Sequence, residues 1–403
     1  MKNIKNIIFY TVCVFVLLVS CVWVLVATPK YKVFAAIDES FVGDKDQILG
    51  ICNALCALNS KVEVTTIPVT DSEAVAANVC NEIESALCKS GSVSKTRFIL
   101  LSSGNYGVTL IKYLKTKKTN LKQIVTCYTT HQITSRSAEL VGFADLMAIP
   151  NHAIEPQFEE KIKNSTTNLV ATIGVTHNTS EEMILSAYEK AKDQIKVNPP
   201  YLVVVLGGDA PQPNGNMRFY SSQEAEKLAD LIANKAKSEH LGILVLNGPR
   251  TGKFDSNTGK LSLGVHENGF IDAVTSSFIK TLERQNLVDG IDFKLFDFQF
   301  KQPSMKMAVY GALKKFSGKM FVAGESTSMV SEATSLFDPS QVVIFKNGAM
   351  NENHLKHAQS EYENNRASIL NEDMSFDMIK DKSMTRLHES VATSVAKVIL
   401  KKY

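Results

Sequence analysis

From Tyr31 onward, short and almost unbroken apolar runs alternate with stretches of helical period, and this alternation restricts the chain to a parallel α/β architecture. A strand that is apolar at nearly every position must be covered on both faces, which requires helices on either side of a sheet. The first series is YKVFAAI (31–37), KVEVTTI (61–67), RFILLSS (97–103), QIVTCY (123–128), ADLMAIP (144–150) and NLVATI (168–173), with helix-period segments at 46–58, 72–90 and 106–117. A second series follows at 201–208, 242–248, 292–298, 319–324 and 341–345. Its helix at 222–238 carries Ala225, Leu228, Ala229 and Ile232 on one stripe. A chain of 403 residues exceeds one ordinary core. The segment Asp193 to Pro200, ending in two prolines, supplies a boundary between domains at 30–195 and 196–383. Residues 349–383 read as polar. A closing helix at 384–403 places Leu387, Val391, Val395 and Val398 at helical spacing.

Before the first strand, Asn6 to Pro29 carries no charge, and Ile7 to Ala27 is almost wholly apolar. As a helix these residues would rise about 31 Å, the thickness of a bilayer core. Tyr10 and Trp23 suit the interfaces, and Lys2, Lys5, Lys30 and Lys32 flank the run. The expectation is one transmembrane helix within an anchor at 1–29, with residues 7–27 in the bilayer. A cleaved signal peptide is the rival, but the run exceeds the usual h-region and lacks an A-x-A site. The LVSC tetrapeptide (18–21) resembles a lipoprotein box, yet apolar residues continue after it. The lysine balance leans faintly toward the domain lying outside. Seven cysteines, with none after Cys127, form no disulfide framework and point to a reducing compartment. The expected product is a single-pass membrane protein with its domain facing the cytoplasm, its orientation left open.

Hydrophobic residues at 44% and charged residues at 21% describe a folded chain, and a net charge of +3 spread along the sequence gives no reason to invoke nucleic acid. Chemistry is sought at the strand ends. FVAGESTSMVSEA (321–333) is a strand breaking at a Gly/Ser turn into a helix. Unpaired amides there could take a phosphate, and Glu332 a ribose hydroxyl. DESFVGDKDQ (38–47), LSSGN (101–105), LGGDAP (206–211) and NGPRTG (247–252) are similar ends, and each is equally ordinary turn chemistry. LGGDAP is no dinucleotide fingerprint. His354 and His357 have no third ligand nearby in sequence, and no CxxC occurs, so no metal site is expected. Ser326 and Ser328 lack a nucleophile elbow.

Taken in order, GDKDQILG (43–50), LSSGN, IPNH (149–152), GVTH (174–177), LGGDAPQPNGNMRFYSSQEAEKLADLI, PRTG and ESTSMVSEA (325–333) resemble the mitochondrial-fission "elongated mitochondria" family and its bacterial relatives. The resemblance implies two Rossmann-like domains facing across a cleft, the GT-B arrangement of glycosyltransferases, with a last helix crossing back. It assigns Gly207 and Gly208 to donor phosphate approach, and Arg250 and Thr251 to the diphosphate. Ser326, Ser328 and Met329 would cradle phosphate or base, and Glu332 the ribose. Gly43, Gln47, Ser103 and Gly104 fall on the acceptor side. Asp44 and His152 are the candidates for a catalytic base. Three motifs depart from the family pattern: Glu325 stands where it has aspartate, Pro249 where it has a first arginine, and Gln302-Pro303-Ser304 where it has Asn-Pro-Tyr.

The resulting expectation is a membrane-anchored, metal-independent glycosyltransferase that needs no cofactor. It would use a nucleotide-sugar as donor and a lipid-linked or surface-glycan acceptor. A non-catalytic membrane-bound scaffold recruiting a protein partner is the alternative. A solute-binding protein also suits a two-lobed cleft but conflicts with the long apolar run and the thiols.

Overall fold

The computed structural model describes residues 31–89, 96–212, 215–380 and 389–403. The expected anchor at 7–27 lies outside them, and among the described residues no helix is long and apolar enough to cross a membrane.

The first sheet contains β1 (Tyr31–Ile37), β2 (Val62–Pro68), β3 (Arg97–Ser103), β4 (Val125–Thr129), β5 (Leu146–Pro150) and β6 (Asn168–Thr172), all parallel in the order β2-β1-β3-β4-β5-β6. Helices α1 (Val42–Leu58), α2 (Glu73–Lys89), α3 (Gly104–Lys117), α4 (Ser135–Ala138) and α5 (Pro156–Lys163) connect these strands. The strands are apolar on both sides because both sides are covered. Phe34, Leu100 and Met147 pack with the α2 and α3 residues Ile83 and Ile111, while Val33, Ile99 and Leu146 pack with Ile51 and Leu55 of α1.

The second sheet is built on α6 (Glu181–Ala191), β7 (Tyr201–Val205), the small hairpin β8 (Ala210–Pro211) and β9 (Met217–Arg218), α7 (Ser222–Glu239), β10 (Gly242–Leu246), α8 (Ala273–Asp289) and β11 (Phe293–Phe296). It continues with α9 (Lys306–Phe316), β12 (Gly318–Ala323), α10 (Thr327–Leu336), β13 (Val342–Phe345), α11 (Glu352–Glu363), β14 (Ser368–Leu370) and β15 (Phe376–Asp377). The order is β11-β10-β7-β12-β13-β14-β15, parallel except at β15. Ile184 and Tyr188 of α6 lie in this second core, so the chain has crossed to the second sheet before it reaches the Asp193–Pro200 segment. The polar stretch 349–383, to which the sequence pattern assigns no element, contains α11 and β14. Two of the three residues that α11 buries, His357 and Glu361, are polar, and β14 has only three residues, so neither has an apolar period.

The last helix, α12 (Val391–Lys402), returns to the first sheet. Ala392, Val395, Ala396 and Ile399 join the core formed by Tyr31, Val33, Ile48 and Leu55. Val395 and Ile399 are fully buried, and each such side chain contributes about 1.5–3 kcal/mol. Leu387 lies outside the described residues.

In both sheets the strand order reverses beside the first strand, between β1 and β3 and between β7 and β12. At such a switch point the loops part and leave a crevice outside the carboxyl ends of the strands.

Candidate functional site

In the second half, the ends of β7, β10 and β12 converge on Gly207, Gly208, Gly248 and Glu325. Glu325 is 2% exposed, accepts the Gly208 N–H at 2.7 Å through Oε1, and accepts the Asn347 amide at 2.7 Å through Oε2. Burial raises its pKa, against the pull of those two bonds and of Arg250. A Cβ at Gly207 would sit 2.6 Å from this carboxylate, and one at Gly208 would sit 2.5 Å from the Arg250 backbone, so the glycine pair is what lets three loops meet. Asp209, just beyond, accepts the Phe254 and Tyr220 amides and is pushed up to about 6 by burial.

The amino end of α10 opens onto the same crevice. Its N-cap Ser326 makes no side-chain cap bond, so the first amides of the helix are not closed by their own cap. Ser328 and Met329 are half-buried there, and Met329 Cε approaches the Gly248 turn. Thr251 folds into that turn, its hydroxyl accepting the Gly248 N–H at 3.0 Å and its N–H donating to the Gly248 carbonyl at 3.0 Å. Arg250 is exposed and has no ion pair among the described residues. Its charge acts on Glu325 and His354 in its own half and on His131 in the other.

The first half presents the loop ends of β1, β3, β4 and β5. Ser103 donates its hydroxyl to Asp44 Oδ1 at 3.0 Å. Gly104, at φ 61, brings its backbone so close that a Cβ would collide with the other Asp44 oxygen. Burial raises the Asp44 pKa, opposed by Ser103 and by His131. His131 is itself lowered by burial, with Asp44 pulling the other way and Arg250 and His357 adding to the fall. Gln47 is buried and accepts the Thr129 hydroxyl at 3.2 Å, whereas Gly43 is exposed with open space around it. His152 lies against His357 across the halves, ring centroids 4.5 Å apart and planes tilted by 33°, with both of its ring nitrogens buried and unpartnered among the described residues. Burial and the neighbouring imidazoles depress it to about 2, and His354 is depressed to about 4 by burial and Arg250.

Between the halves lies a polar seam. Arg366 donates through Nη1 to the Ile173 carbonyl at 2.9 Å and through Nη2 to the Thr334 hydroxyl at 3.0 Å, and Nη1 stands 3.1 Å from Glu361 Oε2. The Glu361 carboxylate and the His357 ring are 3.1 Å apart. Val175 N–H donates to the Ser331 hydroxyl at 3.0 Å, and His177 Nε2 lies 2.7 Å from Ser335 Oγ. Glu332 belongs to this seam. It is 1% exposed, held by Lys306 at 2.8 and 3.0 Å, and close enough to Asp46 to raise that carboxyl.

The residues expected at the donor side thus divide. Gly207, Gly208, Arg250, Ser326, Ser328 and Met329 surround one crevice, Thr251 closes a turn beside it, and Glu332 is engaged in the seam. Asp44, Ser103 and Gly104 form one cluster opposite, with Gln47 buried behind and His152 on the α11 side. His131 and His354 complete the cleft; sequence reasoning weighed His354 only as half of a metal pair with His357 and passed over His131, which lies in no motif. Only the folding of β4 and α11 places them beside Arg250. Among the described residues no group of metal-ligand side chains is assembled.

The α/β fold, with two Rossmann-like parallel sheets and a last helix returning to the first, resembles the GT-B arrangement. Three solved structures align along most of the chain. They are the UDP-GlcNAc 2-epimerase of Methanocaldococcus jannaschii (10% identity, 92% of this chain and 99% of that one, TM-score 0.49), a ugt transferase of Siraitia grosvenorii in complex with UDP (10%, 92% and 92%, 0.44) and the E. coli ADP-heptose LPS heptosyltransferase II (10%, 92% and 98%, 0.37). No curated protein matches the sequence. A family model described as mitochondrial fission ELM1 matches residues 42–261, more than half of the chain and all of the motifs from Gly43 to Gly252. The chain therefore belongs to the mitochondrial fission ELM1 family.

Proposed function

We propose that this protein is a membrane-anchored glycosyltransferase that binds a nucleotide-sugar in the crevice of the second sheet and an acceptor hydroxyl at the first. The observation that carries this reading is the position of Arg250. It is a cation without an ion pair among the described residues, set beside the uncapped amino end of α10 and facing His131 across the cleft. A diphosphate there would be met by helix amides and a guanidinium, the groups that stabilise a leaving pyrophosphate without a metal. The acceptor O–H would give its proton to His131, which burial keeps neutral and Asp44 favours once charged. The acceptor oxygen then bonds to the anomeric carbon as the bond from that carbon to phosphate oxygen breaks, the electron pair leaving with the nucleoside diphosphate. His131 suits this base role better than His152, whose protonation is opposed down to about 2.

The scaffold reading has one observation in its favour: the Glu325 carboxylate already occupies the Gly208 amide, a donor that a phosphate would otherwise use. Titration of the full chain in detergent with UDP-, GDP- and CMP-sugars, followed by thermal stability, separates the two. A ligand at a hundred times its dissociation constant should stabilise by about 2.7 kcal/mol, and Arg250→Ala should abolish the gain. No gain with any nucleotide, or an undiminished gain in Arg250→Ala, removes the donor-site reading.

A further inference from the structure

Opposite the cleft, the first sheet starts its strands among cations. Exposed Lys61 and Arg97 border Tyr31, whose N–H donates to the Lys61 carbonyl at 3.1 Å and which pairs in register with Arg97. Exposed Lys117 ends α3, and exposed Lys122 precedes β4. Exposed Lys401 and Lys402 end α12 beside Tyr403, whose hydroxyl donates to the Asp145 carbonyl at 2.8 Å. Three carboxylates at this end are already engaged: Glu63 with Lys32 at 3.6 Å, Glu84 with Lys118 at 3.3 Å and Asp145 with Lys115 at 2.8 Å. These six cations therefore stand without a carboxylate partner among the described residues.

The chain enters at this same end. Only Thr28, Pro29 and Lys30 separate the apolar run 7–27 from Tyr31, and an extended chain covers at most about 14 Å over that distance. A charge is felt through about 8 Å of physiological saline. We propose that the strand-start end of the first sheet lies on an anionic lipid surface, with the cleft opening away from the bilayer. This rests on the anchored reading and is independent of the donor site. Each cation brought to such a surface multiplies partitioning by roughly fivefold. The seven residues of β1 separate the cleft from the headgroups by about 23 Å. An acceptor on the same membrane must therefore reach at least that far, which excludes a short lipid headgroup and fits a long lipid-linked chain.

The test is reactivity of individual lysines in the full chain, reconstituted into vesicles of phosphatidylcholine alone or with 30% phosphatidylglycerol, a composition of roughly physiological charge. Lys61, Lys122 and Lys401 should lose at least threefold of their amine reactivity in the anionic vesicles and regain it in about 0.5 M salt. Lys253 and Lys356, beyond the other end of the sheets, should not change. Equal reactivity of the first set in both lipids overturns the proposal, as does protection of Lys253 or Lys356 instead. A chain that fails to float with either vesicle overturns it through the anchor.

Discussion

Replacing Arg366 by methionine removes the guanidinium that faces Glu361 in the seam. Glu361 is fully buried and Arg366 is 5% exposed. The variant leaves a buried carboxylate with His357 and Thr334 but no full positive charge beside it, and strands the Ile173 carbonyl that Arg366 had satisfied across the halves. Breaking one side of a buried pair costs about 3–5 kcal/mol, most of it the penalty of the charge left behind. Glu361→Leu combined with Arg366→Met removes both charges and should return the loss to about 1–2 kcal/mol, a coupling of at least 2 kcal/mol. The sole tryptophan, Trp23, precedes the described residues, so urea unfolding is best followed by far-UV circular dichroism. The pH dependence has a fixed sign. Although burial works to raise the Glu361 pKa, Arg366 and His357 together hold it below the ordinary 4.5. A depressed carboxylate contributes stability that is fully present above 4.5 and lost as pH falls through the folded value. The gap between the wild-type protein and Arg366→Met should therefore narrow below about pH 4. A loss under about 1 kcal/mol, or a double variant as unstable as the sum of the singles, would refute the seam as a coupled unit.

Three further outcomes are expected. Gly50→Ala should destabilise by about 1–3 kcal/mol although alanine favours a helix, because its Cβ would collide with the His177 carbonyl; a stabilised variant would show that α1 and the 174–178 segment can separate freely. His177 is buried and depressed to about 4 by burial and by Lys306, so stability should fall by about 3 kcal/mol as pH drops from 6.5 to 4. His177→Gln should flatten that limb of the denaturation profile, and an unchanged limb would assign the loss elsewhere. Glu325→Asp should pull the carboxylate about 1.5 Å back from Gly208, free its amide, and tighten nucleoside diphosphate binding roughly tenfold by calorimetry. Unchanged binding would exclude the Gly208 amide from the donor site.

The alternation of apolar runs and helical periods was enough to place eleven strands, because the central strands are covered on both faces and even the half-exposed edge strand β2 keeps β-branched residues. The limits of that signal appear where burial is achieved with polar groups. α11 turns His357 and Glu361 inward, and β14 is three residues long, so hydrophobic period says nothing of either. The boundary drawn at the proline pair leaves the α6 residues in the first half. Only packing of Ile184 and Tyr188 reveals their partner. At the site, glycine pairs at strand ends mark where backbones must approach, and sequence shows them well. Which carboxylate meets them is set by the register between β7 and β12, so Glu325 rather than Glu332 faces Gly208. The cleft role of His131 and His354 has no local signature, since Asp44 and Arg250, which act on His131, and Arg250, which acts on His354, are all distant in sequence.

The electrostatics of the crevice connect these points. Glu325 is a buried carboxylate where an anionic donor would arrive, its pKa already raised by burial and restrained by two hydrogen bonds and Arg250. A diphosphate adds negative charge beside it, which favours the protonated carboxyl further. Nucleotide-sugar binding at this site must then be linked to uptake of a proton, and affinity must rise as pH falls toward the Glu325 titration. A scaffold that uses the fold only for shape has no such linkage, since nothing anionic enters. The same carboxylate that weakens the case for catalysis by filling the Gly208 amide therefore gives the enzyme reading its most specific physical signature.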